Sequence, residues 1–145
     1  MPKVTDINAV SISLEIDDDT ALFILLDDQG TINRMGTGAV NNQEKDLFIG
    51  LTEEPLFEKL KETMQDEMLN HMGGYDVPDK IGAECTLSIA FSFTNDEQNG
   101  FGFKYGSESD GPPYEIVQFV TAAVQLTAPW FQEQKEMANS AETDD

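Results

Sequence analysis

Apolar and polar residues alternate through Ser11–Ile16, placing Ile12, Leu14 and Ile16 on one side of an extended chain. This period of two predicts a half-buried strand. Asp17–Thr20 is a polar, charged turn. Ala21–Leu26 is apolar without a break, so it predicts a strand that is covered on both faces or central in its sheet. Asp27–Gly30 closes a second hairpin, with Gly30 free to take positive φ. Thr31–Met35 returns as a third strand towards Gly36 and Gly38, and the short apolar run Asp46–Leu51 reads as a fourth strand or a bridge.

The period then changes. Leu56, Phe57, Leu60, Met64, Met68 and Met72 recur at three- and four-residue spacing and predict an amphipathic helix. Thr52 is its expected N-cap, with Glu53 and Glu54 in the first turn, where the helix dipole favours them. Gly73-Gly74 is the expected stop, and 75–80 the following loop. From Cys85 to Phe93 strict alternation resumes, with Cys85, Leu87, Ile89, Phe91 and Phe93 on one face. A turn over 95–100 leads to a partner strand carrying Phe101, Phe103 and Tyr105 on one face. Tyr114 to about Thr127 is helical in pattern and apolar over most of its circumference, which predicts burial on more than one side. Pro129 is expected to kink or end this helix, and 132–138 to form a last exposed turn.

Strands, helix, hairpin, helix is the order of a two-layer α+β sandwich. We expect an antiparallel sheet of about five to six strands with two main helices on one face. The whole chain, 1–145, reads as one domain, with 1–8 and 137–145 as flexible tails.

Composition narrows the function more than it names it. The 145 residues hold 28 acids against 8 Lys plus Arg, a net charge of −20. A chain of this length buries roughly 70% of its unfolded surface, so it can build a core without metals or disulfides. One cysteine makes no internal disulfide, and no signal-peptide pattern or membrane-length apolar run is present. A cytoplasmic protein is the expectation. Eight scattered basic residues argue against direct nucleic-acid binding and against an anionic membrane surface. The acidity serves solubility, a salt-rich environment or a basic protein partner.

Candidate chemistry is sparse. Cys85 and His71 are the single thiol and imidazole, and nothing local activates either. Asp17, Asp18, Asp19, Asp27 and Asp28 are weak candidates for a hard cation, and solvated turns are the commoner explanation. Asn95–Gly100 begins like a calcium loop, but the twelfth position is Gly106 rather than Glu. Gly36-Thr37-Gly38 lacks the third glycine of a phosphate loop. No cofactor is implied. Met64, Met68 and Met72 fit core packing first and a binding groove second. Tyr114, Phe119, Val120, Trp130 and Phe131 are the interaction candidates, because the apolar helix and the segment after Pro129 carry almost no charge.

These features favour a small acidic, non-enzymatic protein-interaction domain with a binding, inhibitory, immunity- or chaperone-like role. The alternative is a small-molecule-binding protein or modest enzyme with a cleft between sheet and helices. A symmetric homodimer through the apolar helix or Trp130-Phe131 is the third expectation.

Overall fold

A computed structural model describes residues 6–36, 47–64, 73–76, 81–94, 98–106, 108 and 114–143. Seven strands form one sheet: β1 (Ile7–Ile16), β2 (Asp19–Asp27), β3 (Thr31–Gly36), β4 (Phe48–Leu51), β5 (Gly73–Asp76), β6 (Glu84–Phe93) and β7 (Gln98–Gly106). Their spatial order is β4-β3-β2-β1-β6-β7-β5. Six strands pair antiparallel, and β5 joins β7 in parallel at the far edge. The helices are α1 (Leu56–Glu62) and α2 (Tyr114–Thr143). The α+β class, the single helix-bearing face and the element order match the expectation.

Hairpin chemistry sets the registers. Asp17 and Asp18 both take positive φ, 51° and 68°, the pair that a two-residue turn between twisted strands requires. Asp tolerates this region better than most residues. At the next turn Asp27 Oδ1 accepts hydrogen bonds from the backbone N–H of Gln29 and of Thr31, both at 2.9 Å, while Gly30 supplies φ 86°. A shift between Leu14 and Glu15 lets β2 carry Ala21 and Leu22 both buried. β2 is an interior strand, flanked by β1 and β3, as its unbroken apolar run suggested.

One sheet face is covered. It presents Val10, Ile12, Leu22, Ile24, Ile89 and Phe91 to α2, which contributes Ile116, Phe119 and Ala123 to the same buried cluster. The Phe91 and Phe119 rings meet with centroids 6.0 Å apart. Leu56, Phe57 and Leu60 of α1 complete this core.

Several expectations are corrected. α2 runs through Pro129 to Thr143 instead of ending there. The proline removes one intrahelical donor, a cost of about 3 kcal/mol in an isolated helix. Packing of Ala123 and Thr127 before it and Phe131 after it holds both halves against the sheet. Burial is confined to one stripe of α2, and Tyr114 and Val117 are exposed. Thr52 does not cap α1: its hydroxyl accepts from the Glu54 N–H at 3.2 Å, and Pro55 stands at the N-cap without a side-chain bond. Described helix ends at Glu62, and Gly73-Gly74 opens β5 rather than following a helix. β7 starts at Gln98, inside the expected turn. Ile7 is buried in β1, and α2 continues to Thr143. Met68, Met72, His71, Gly38 and the turn residues 95–97 lie outside the described residues.

Candidate functional site

The sequence placed no weight on Arg34, the chain's one arginine. The alternation Ile32, Arg34, Gly36 puts it on the covered face, where it is 3% exposed. Its Nε donates to the Gly36 carbonyl at 3.1 Å. Its Nη1 donates to the Thr127 hydroxyl at 2.7 Å and to the Val124 carbonyl at 3.3 Å. The Thr127 hydroxyl in turn donates to the Ala123 carbonyl at 2.8 Å. A guanidinium is suited to this place because it is planar, many-donored and less strongly hydrated than an ammonium. It also lies 4.5 Å from the centroid of Phe131, and Lys135 Nζ lies at the same distance from that ring. The edge of Phe48 completes the setting at 5.8 Å. Thus β3 and β4 are bound to α2 on both sides of Pro129.

Trp130 lies beside this cluster, over the edge strand. A Cβ built on Gly50 would come within 3.0 Å of Trp130 Cζ2, so glycine is what allows the indole to lie on β4. Outward of the indole is a groove of about 400 Å³ between the β4–α1 connection and α2. Pro129, Trp130, Leu126 and Leu56 form its apolar part, and Glu53, Glu54 and Glu133 are its acids. All three glutamates are exposed. An apolar, aromatic wall with carboxylates around it suits an alkylammonium or guanidinium group.

Arg34 and Lys135 are engaged on Phe131, and Lys61 donates to the Ile7 carbonyl at 2.8 Å.

The interaction candidates divide. Phe119 and Phe131 belong to the chain's own core, Val120 and Trp130 are half-buried, and Tyr114 is exposed at the start of α2. Only Trp130 reaches the groove. The aspartates do not converge. Asp17 and Asp27 stand at opposite ends of β2, and both carboxylates accept backbone N–H groups, Asp17 from Glu84 at 3.0 Å. Among the described residues no group of three or more His, Cys, Asp or Glu is placed to hold a metal ion.

Cys85 is buried with Ile16 and Ala21, and its thiol faces the Ala83 carbonyl at 3.6 Å. Burial, and secondarily the Asp17 carboxylate, push its pKa above the usual thiol value. Burial and the neighbouring Cys85 push the Tyr105 phenol up to about 12. Both shifts favour the neutral, unreactive forms, opposite to what a thiolate nucleophile needs.

A second depression, about 190 Å³, lies among Ala9, Ser11, Leu25, Ala90, Ser92 and Gln98. Its lining is uncharged. Among the described residues no helix is long and apolar enough to cross a membrane. Comparison with protein-family models, with curated proteins and with solved structures finds no match to this chain.

Proposed function

We propose that this chain is an acidic, non-enzymatic interaction domain that docks a basic protein partner. The observation that carries this reading is the groove at Trp130, where an aromatic wall and Glu53, Glu54 and Glu133 meet. The partner supplies a Lys or Arg side chain. Its stem lies along Trp130 and Pro129, and its charged head meets the glutamates. The net charge of −20 adds long-range attraction, which speeds encounter and weakens as salt rises.

Trp130 is the chain's single tryptophan, so its emission reports on the groove directly. Titration with a short lysine peptide is expected to change that emission. Replacing Glu53, Glu54 and Glu133 by Gln is expected to weaken binding about tenfold or more. Neutralising Asp18, Asp19 and Glu84, acids at the opposite end of β2 from the groove, is expected to weaken it far less. Equal losses from the two triple variants would mean diffuse charge attraction without a site.

A symmetric dimer through α2 is the second reading, favoured by the exposed Tyr114 and Val117. Sedimentation at rising salt tests it, because screening would strengthen contact between two chains of like charge.

A further inference from the structure

We infer that β4 is the docking edge for an extended segment whose residues alternate between basic and apolar, and which joins the sheet as an additional strand. This rests on the proposed docking of a basic partner, and it specifies the partner's chemistry and conformation.

β4 ends the order of strands, so its outer backbone edge has no partner strand among the described residues. Edge strands are commonly blunted by charge, proline or a bulge. This one instead carries aliphatic side chains on the sheet side facing away from the helices. Ile49 is 68% exposed and Leu51 is 75% exposed, and Leu47, just before the strand, is 47% exposed. Their spacing of two residues puts them in one row. The helix side of the same strand is different. There Gly50 lies under Trp130, and the acidic groove begins at Leu51 and Thr52.

A strand added beside β4 would point successive side chains to opposite sides of the sheet. One set would reach the row at Leu47, Ile49 and Leu51, and the other would reach the groove with Glu53, Glu54 and Glu133. The first environment rewards an aliphatic side chain and the second a cation. A second copy of this chain fits less well, because two charges of −20 would meet at the edge.

The test uses two capped nonapeptides of the same composition, five Lys and four Val. In one they alternate, and in the other they are in blocks. Affinity is read from Trp130 emission and strand addition from amide hydrogen exchange over 48–51. The alternating peptide is expected to bind about tenfold tighter than the block isomer and to slow exchange in β4. Changing Leu47 and Ile49, which do not line the groove, together to Ser is expected to remove that preference while block-peptide binding stays unchanged. Unchanged block-peptide binding also shows that the variant is folded. Equal affinities with no protection of β4 would overturn strand addition and leave the docking of cations standing. Failure of both peptides to bind would overturn both. Protection of β4 without peptide, together with a dimer, would assign the edge to a second copy and overturn the inference.

Discussion

The two faces of the sheet are made by the same strands and differ in almost every side chain. On the covered face β1 and β6 present Val10, Ile12, Leu87, Ile89 and Phe91 to the helices. On the open face the same strands present Ala9, Ser11, Ser13, Ser88, Ala90 and Ser92. Large side chains fill the layer between sheet and helix, while the middle of the open face carries small ones. Charge follows a third rule. The acids named at the groove and the turns are at the surface, and the one arginine is inside. Shape, polarity and charge are therefore sorted onto different parts of one molecule, and stability and recognition need not compete for the same residues.

The sharpest way to break this division is at Arg34. Arg34→Ala removes the donor that binds Thr127, Val124 and Gly36, and it leaves a cavity beside Phe131. A loss of about 3–5 kcal/mol is expected in denaturant unfolding. A loss under about 1 kcal/mol would show that the guanidinium does not hold α2 across Pro129.

The faces themselves can be compared by a pair of truncations. Ile24→Ala on the covered face is expected to cost about 2–5 kcal/mol. Ser88→Ala on the exposed face is expected to stay within about 0.5 kcal/mol of the parent. Similar costs at the two sites would mean that the open face is packed as tightly as the covered one.

The smallest effect concerns pH. Tyr105 and Cys85 ionise at higher pH in the folded chain than in the unfolded one. Below about pH 7 both groups are neutral in both states, and their contribution to stability is constant. As pH rises towards 12 the unfolded chain loses these protons first, so stability falls. Unfolding midpoints measured across this range should decline, and Tyr105→Phe should flatten the upper part of the decline. A midpoint that rises with pH would contradict the assignment.

Much of the fold was readable because period-two patterning is local. Ile12, Leu14 and Ile16, and Cys85 through Phe93, announce their strands without reference to any neighbour. β5 could not be read this way. Gly-Gly-Tyr-Asp is too short and too rich in glycine to show a pattern, and its pairing with β7 comes from distant chain. At Pro129 only the ending, one of the two outcomes expected there, is overturned, for a related reason. Local chemistry predicts a break, but packing on both sides of the residue overrides it. At the site, Trp130 was legible as an uncharged aromatic beside a helix irregularity. Glu53 and Glu54 were read as first-turn acids and Glu133 fell in the expected last exposed turn, because only the packing of α1 against α2 brings them together. Arg34 left one faint signal: a charged residue on the same side of its strand as Ile32.

The central position of β1 has a consequence for how the chain is made. β1 pairs with β2, its immediate successor, and with β6, where Ile12 lies opposite Ile89. During synthesis the meander from β1 to β4 can assemble while β1's other edge waits for β6 to emerge. In that interval the nascent half presents an unpaired edge with aliphatic side chains, the usual starting point for pairing between copies. The aspartates of the β1–β2 and β2–β3 turns are already in place then. Like charges at those turns disfavour such pairing at the stage when the sheet is most open.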